Sequence, residues 1–268
     1  MTVRVGICGA AGRMGKTILE LCNDTEGVEI GAAIEHTESP LIGMDAGEQA
    51  GLGKLGVAIA ENIESVADQF DVLIDFTFAA SVPENVSQCL AAGKNMVIGT
   101  TGLTDEQKNV IKNASDEIAI VFAPNMSIGV NLCFKLLEMA AQVVGEDADI
   151  EIIEAHHREK KDAPSGTSLR MGEVVANTLG RDLNECAIYG REGITGVRDK
   201  NTIAFETIRA GDIVGEHTVM FATTGERIEI SHKATSRKTF ASGAVKAAQW
   251  VADKNSGLFD MQDVLNFR

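Results

Sequence analysis

The sequence predicts an α/β chain: a Rossmann-like doubly wound parallel sheet, with a second α+β domain carrying a mixed or antiparallel sheet. Three observations predict it. Over residues 3–123, short apolar runs alternate with helical patterns, as in a parallel sheet wrapped by helices. A glycine-bearing turn, Gly9-Ala10-Ala11-Gly12-Arg13-Met14-Gly15, directly follows the first apolar run. From Thr202 on, strand-like runs succeed one another without intervening helices.

Taken in order, residues 3–8 form a buried strand. The glycine turn and a helical pattern over 16–22 come next, then a second strand over 28–34 that ends in Glu35, twenty residues past Gly15. Strand, turn, helix, strand and acidic residue at that distance make up the dinucleotide-binding pattern. The glycines permit the tight turn, the helix N–H groups take the pyrophosphate and the carboxylate takes ribose hydroxyls. Ala11 replaces the usual second glycine, so the surrounding pattern carries more weight than the turn itself. The alternation continues with a strand over 71–77, a helix over 81–92 and a strand over 95–99 running into Gly99-Thr100-Thr101-Gly102. A helix over 105–114 and a strand over 118–123 follow, ending in Ala123-Pro124-Asn125-Met126. Ligands of such sheets lie at the carboxyl ends of the strands, which puts these loops on the rim of the glycine turn. A long amphipathic helix over 130–144 then leads to a strand over 150–155. Further strands are expected over 202–209, 217–223 and 227–231, and a last helix over 240–252. The tail Gly257-Leu258-Phe259-Asp260 is placed back against the first domain. The resulting division is 1–127 plus 237–268 for the dinucleotide-binding domain and 128–236 for the substrate-binding and oligomerisation domain.

Composition narrows the function classes. The chain has 268 residues and a formal net charge of -15, a balance that disfavours nucleic acid as a partner. No apolar window is long enough for a membrane span, and the start runs straight into a strand with no export signal. Five scattered cysteines read as reduced packing residues of a cytoplasmic protein. No His/Cys/Asp cluster has metal-ligand spacing, so no metal is expected. A sheet with one open face in the second domain predicts a homo-oligomer.

The chemistry concentrates in Glu154-Ala155-His156-His157-Arg158-Glu159-Lys160-Lys161-Asp162-Ala163-Pro164-Ser165-Gly166-Thr167. A charge run in a loop is usually solvated surface. This one follows an apolar strand and ends in a turn that opens a helix over 168–179, where sites tend to sit. Cationic groups against an acidic background point to an anionic ligand. Helix N–H groups beside Gly166 offer it a second cradle. Proton-transfer groups next to an anion cradle suit a small dicarboxylate that has to be protonated.

These residues resemble the dihydrodipicolinate reductase family of bacterial lysine and diaminopimelate synthesis, and the resemblance covers essentially the whole chain. Its most specific part runs from Glu154 to Thr167. The glycine turn, Gly99-Thr100-Thr101 and Arg209-Ala210-Gly211-Asp212-Ile213-Val214-Gly215-Glu216-His217 support it. The resemblance implies NADH- or NADPH-dependent reduction of a cyclic imine dicarboxylate, by a homotetramer. It also implies roles: His156 as acid/base residue, Lys160 as proton donor, and His157, Gly166 and Thr167 as holders of the substrate carboxylates. Gly9, Ala10, Ala11, Gly12, Arg13, Met14, Glu35, His36, Gly99, Thr100, Thr101, Ala123, Pro124, Asn125 and Met126 would line the cofactor. His36 stands where relatives commonly carry a basic residue, and Phe78 where some carry an arginine; both departures favour NADH. The competing readings are another two-domain NAD(P)-dependent dehydrogenase of amino-acid metabolism and a non-catalytic dinucleotide-sensing protein. Neither requires the paired histidines beside Ser165-Gly166-Thr167.

Overall fold

The computed structural model describes residues 2–268. They gather into two compact units, one taking in the chain up to Ile128 together with Arg237–Arg268, the other Gly129–Ser236. In chain order the elements begin with β1 (Val3–Cys8), α1 (Arg13–Asp24), β2 (Val28–Ile34), α2 (Ala46–Ala50), β3 (Ile59–Ala60) and a 3₁₀ turn (Glu64–Gln69). Next come β4 (Val72–Asp75), α3 (Val82–Ala92), β5 (Asn95–Ile98), α4 (Asp105–Ala114) and β6 (Ala119–Phe122). The middle of the chain holds α5 (Ile128–Val144), β7 (Asp149–His156), α6 (Gly166–Thr178), α7 (Leu183–Cys186), β8 (Ala187–Tyr189), β9 (Ile203–Arg209), β10 (Gly215–Thr223) and β11 (Glu226–Ala234). It ends with α8 (Lys238–Val251), β12 (Gly257–Phe259) and α9 (Met261–Val264).

The first unit is a seven-stranded sheet in the order β12-β6-β5-β4-β1-β2-β3, with every neighbouring pair parallel. Its strands are largely apolar on both sides because both faces are covered. Val5, Ile7, Val72, Val97 and Val121 pack with Ile18 and Leu19 of α1 and Ala244, Ala248 and Val251 of α8. Leu73, Met96, Ile98 and Ile120 pack on the other face with Val86 of α3 and Ile111 of α4. The strand order reverses direction between β1 and β4, which is where such sheets bind ligands. Local sequence sets the helix ends. Thr104 and Gln107 form a reciprocal capping box on α4, and Gly93 ends α3 at φ 63°, a conformation glycine adopts without strain.

The second unit has a five-stranded mixed sheet in the order β11-β10-β7-β9-β8. β7, β9 and β8 run parallel, while β10 is antiparallel to both β7 and β11. Of the two arrangements expected, mixed is the one found. Leu137 and Ala141 of α5 and Met171 and Val175 of α6 cover one face, against Ile150, Ile152, Phe205, Val219 and Phe221.

Some elements differ from the sequence reading. α1 starts at Arg13 and α6 at Gly166, earlier than the apolar periodicity indicates, because their opening residues are exposed (Arg13, Gly166) or small (Gly15, Ser168) and add nothing to the apolar stripe. The stretch after Glu35, where no periodicity predicts an element, holds α2, β3 and the 3₁₀ turn. Asp45 organises it by accepting from the N–H groups of Gly47, Glu48, Leu55 and Gly56, a device with no periodicity to read. α7 and β8 were likewise not anticipated, and both are short.

Gly243 of α8 lies on the carbonyl of Met126, which a Cβ at that position would strike. Overpacking typically costs about 1–3 kcal/mol, and the helix propensity gained by replacing glycine offsets at most about 1 kcal/mol. Gly243→Ala is therefore expected to lower stability by up to about 2 kcal/mol in denaturant melts. A gain in stability would show that the 123–126 segment yields freely.

Candidate active site

The first unit gathers the residues assigned to a dinucleotide at the carboxyl ends of β1, β2, β4, β5 and β6. Gly9 is left-handed at φ 68°, and a Cβ on Gly15 would collide with the Gly9 carbonyl. The backbone can therefore turn tightly into α1 only with glycine at these places. The N–H groups of Gly9 and Ala10 both donate to the Ile34 carbonyl, and that of Gly12 donates to Gly9. The Ala11 N–H donates to Glu35 Oε1 at 2.8 Å. The donors left for an anion are thus those of Arg13, Met14 and Gly15 in the first turn, since the first helical bond is made by Lys16 N–H to Gly12. Glu35 sits against the loop with one oxygen engaged, while the His36 side chain is exposed. These features fit a pyrophosphate at the start of α1 and a ribose beside Glu35.

Asp75, which sequence reading passed over, holds this rim together. It has no exposed surface and ends β4. Its Oδ1 accepts from Thr77 N–H at 2.8 Å and from the Thr77 hydroxyl at 2.6 Å. Thr100 Oγ1 donates to the same oxygen at 3.1 Å, and Asn85 donates to Oδ2 at 2.8 Å. One carboxylate therefore fixes the loops after both β4 and β5. Gly99 donates to the Asp75 carbonyl and leaves room for the Phe76 ring, which a Cβ would meet. Ala123 is tied to β5 through Ile98, and the Asn125 side chain accepts from Ser127 N–H.

In the second unit, His156 is the last residue of β7 and His157 to Ser165 form the loop into α6. The loop is pinned to the end of β9, with Ala210 N–H donating to His156 and Arg158 N–H to Gly211. Lys160 N–H closes a turn on His157, and its ammonium bonds both oxygens of Asp162 at 2.8 and 2.9 Å. Ser165 caps α6, its hydroxyl accepting from Ser168 N–H at 3.1 Å. Gly166 is exposed, and a Cβ there would meet no atom, so the backbone is open to a ligand. The hydroxyl of Ser168 is buried at this helix start without a partner.

Three residues whose roles were not anticipated bind these parts together. Glu154 has no exposed surface and accepts from Arg209 Nη1 and Nη2 at 2.9 and 2.8 Å, and from Ser165 N–H at 3.1 Å. Its Oε2 lies 2.6 Å from His156 Nδ1. His217, opposite Glu154 in the neighbouring strand, meets Ser165 Oγ through Nε2 at 2.9 Å. Its ring is edge-on to that of His156, with centroids 5.1 Å apart. All three belong to motifs visible in the sequence, but their partners lie up to 63 residues away, at 154 and 217, and nothing local marks them.

Burial and neighbours set the charges. Burial pushes the Glu154 carboxyl up, but its bonds to Arg209 and His156 outweigh this and hold it below the usual range. Burial pushes His156 down and prevails over the opposing pull of Glu154, so the ring is neutral at pH 7. Burial, with His156 alongside, pushes His217 down to about 4. The loop is thus less cationic than its composition: His156 is neutral and Lys160 carries its own counterion. Beside the exposed Arg158 and Lys161, the loop presents an ammonium group, a neutral imidazole and a helix start, together able to bind an anion and move a proton.

Comparison with known proteins follows the same lines. The chain matches the family model "Dihydrodipicolinate reductase, N-terminus" over residues 3–126 and its C-terminus counterpart over residues 129–265. It is 60% identical to the 4-hydroxy-tetrahydrodipicolinate reductase of Methylococcus capsulatus, over 100% of both chains. It is also 60% identical to that of Hahella chejuensis, over 99% of both. Among solved structures, a dipicolinate-bound dihydrodipicolinate reductase from Paenisporosarcina sp. TG-14 superimposes with a TM-score of 0.78 at 25% identity, covering 98% of this chain and 99% of that one.

The neutral His217 has a measurable consequence. Its folded-state value lies below the ordinary 6.5, so the unfolded chain takes up this proton first as pH falls. Stability must drop from about pH 6.5 down to about pH 4, by up to about 3 kcal/mol. Denaturant melts across that window should show a steeper fall for the wild type than for His217→Gln. Identical slopes would mean that His217 is not held neutral in the fold.

Proposed function

The chain belongs to the dihydrodipicolinate reductase family, and from that premise we propose that it is a 4-hydroxy-tetrahydrodipicolinate reductase. It reduces a cyclic imine dicarboxylate to tetrahydrodipicolinate with NADH or NADPH, a step of lysine and diaminopimelate synthesis. One observation carries the reading: the end of β7 brings the His156 imidazole, the Lys160 ammonium group and the open start of α6 into one loop. A dicarboxylate that must be protonated needs all of these.

When bound, the nicotinamide supplies the hydride. The first unit holds the dinucleotide through Gly9 to Met14, Glu35, His36, Gly99 to Thr101 and Ala123 to Met126. In the second unit, His157 and the Gly166–Thr167 backbone and hydroxyl take the carboxylates. Reduction leaves an enamine-like anion on the substrate, which Lys160 stabilises and protonates while His156 serves as acid/base residue. Such proton transfer contributes roughly 10²–10⁴-fold in rate. Asp162 keeps the ammonium group of Lys160 in place until the substrate competes for it.

We also propose a cytoplasmic homotetramer built on the second unit. Arg191 and Arg198 both grip Glu151 of β7, which anchors the ends of the loop between β8 and β9. Ile194 and Val197 in that loop are fully exposed, as are parts of Ile208 and Ile228 on the sheet. Rigidly held apolar groups of this kind are suited to another copy of the chain. Among the described residues, no helix is long and apolar enough to cross a membrane.

For the cofactor, NADH is the expected preference. Glu35 accepts ribose hydroxyls, whereas the extra phosphate of NADPH would meet a carboxylate. Arg13, in the glycine turn, offers the phosphate a permanent cation, so NADPH should still be used. His36 offers an imidazole where a guanidinium would hold the phosphate in a two-pronged grip.

A coupled assay with enzymatically generated dihydrodipicolinate precursor, following NADH loss, tests the activity. Lys160→Ala should lower turnover by roughly 10²–10⁴-fold while NADH affinity stays near wild type. Equal loss of both would place Lys160 with the cofactor instead. His36→Arg should raise kcat/KM with NADPH and leave NADH kinetics little changed; a wild type that already prefers NADPH would overturn this assignment.

A further inference from the structure

We infer that buried Glu154 and half-buried Arg209 form a positioning pair that holds His156 with its proton on Nδ1 and presents Nε2 bare beside Gly215. The effect on turnover rests on the reading of His156 as the acid/base residue; the geometry does not.

Glu154 and His156 lie two residues apart on β7 and so share one face of the sheet. Glu154 meets Arg209 through both guanidinium prongs, Nη1 to Oε2 and Nη2 to Oε1. Arg209 is itself fixed by the carbonyls of Asp162 and Ile208, at 2.6 and 2.7 Å. With Ser165 N–H and the more distant Thr207 hydroxyl also directed at it, the carboxylate is surrounded by donors and stays ionised. An ionised carboxylate only accepts hydrogen bonds. The ring nitrogen 2.6 Å from it must therefore carry the proton, and in a neutral imidazole the other nitrogen is bare. Nε2 makes no hydrogen bond among the described residues. It lies where a Cβ on residue 215 would come within 3.0 Å, so glycine at that position leaves its approach clear. The edge-on His217 ring holds the plane of the imidazole.

The consequence is a division of labour. In the resting site His156 is an acceptor at Nε2, and the ready proton belongs to Lys160. When His156 takes up its second proton, it does so at Nε2, and the ionised Glu154 stabilises the imidazolium that results. Arg209 prevents Glu154 from taking that proton itself. Neither Glu154 nor Arg209 has to touch substrate for this.

Ring-nitrogen NMR on ¹⁵N-labelled full-length protein reads the state directly. Wild-type His156 at neutral pH should show a protonated Nδ1 and a bare Nε2; the opposite tautomer overturns the inference, whatever the variants do. The charged or titratable groups facing this ring are Glu154 on its own strand, Arg209 on β9, His217 on β10 with His232 behind it on β11, and Lys160 with Asp162 in the loop. Glu154→Gln removes the anion in contact with the ring and supplies a group that donates as well as accepts. The tautomers should then mix and the titration midpoint of His156 should fall. Turnover should drop by roughly 10²-fold or more with KM little changed, and Glu154→Asp should restore part of it. A folded Glu154→Gln protein with unchanged ring signals and midpoint would make Glu154 structural only and overturn the inference. Failure of the wild type to reduce the precursor would instead sink the functional reading and leave these ring signals as they are.

Discussion

The second unit depends on a carboxylate that has no access to water. An isolated buried charge would be intolerable, and removing one partner of such a pair typically costs about 3–5 kcal/mol. Glu154 is therefore able to dictate its surroundings. It draws Arg209 from the next strand, the first turn of α6 through Ser165, and the ring of His156. The end of β7, the first turn of α6 and the end of β9 meet at one point because each supplies a donor that the carboxylate requires. The geometry of the basic loop follows from that demand more than from the loop's own residues.

The first unit solves a similar problem in the same way. Asp75 is buried at the carboxyl end of a central strand and collects donors from Thr77, Asn85 and Thr100. Loops at strand ends have little apolar contact to define them. A buried acceptor with several lone pairs gives them fixed positions without covering the surface a ligand needs. In both units the residue that places the loop has no exposed surface, while Gly12, Arg13, His36, Thr101 and Gly166 on the loops themselves are exposed.

The sequence made the fold legible wherever structure has a period. Alternating strands and helices, the glycine turn after β1 and the helix-free run from β9 to β11 were all readable, because burial on a sheet or helix leaves a repeating pattern. The region around Asp45 had no such pattern, since four backbone donors converge on one side chain. The candidate site divides similarly. His156, Lys160 and the turn into α6 stand next to one another in the chain and could be grouped by chemistry. Arg209 and His217 could not be assigned to them, because pairing across the sheet decides who meets Glu154. Charge was the least legible property: composition gave a cationic loop, whereas burial neutralises His156 and Asp162 answers Lys160.

The late return of the chain to the first unit bears on how the protein is made. β1 to β6 leave the ribosome about a hundred residues ahead of α8 and β12. Until α8 arrives, the face bearing Val5, Ile7, Val97 and Val121 lacks the cover of Ala244, Ala248 and Val251. β6 meanwhile stands as a bare edge, because its neighbour β12 has not been synthesised. Exposed apolar surface and an unpaired strand are what make a nascent chain adhesive. The second unit, continuous in sequence, has no such wait. Completion of the nucleotide-binding sheet therefore waits until the second unit has been made, and a chain cut short before residue 238 keeps a sheet face that α1 covers only in part.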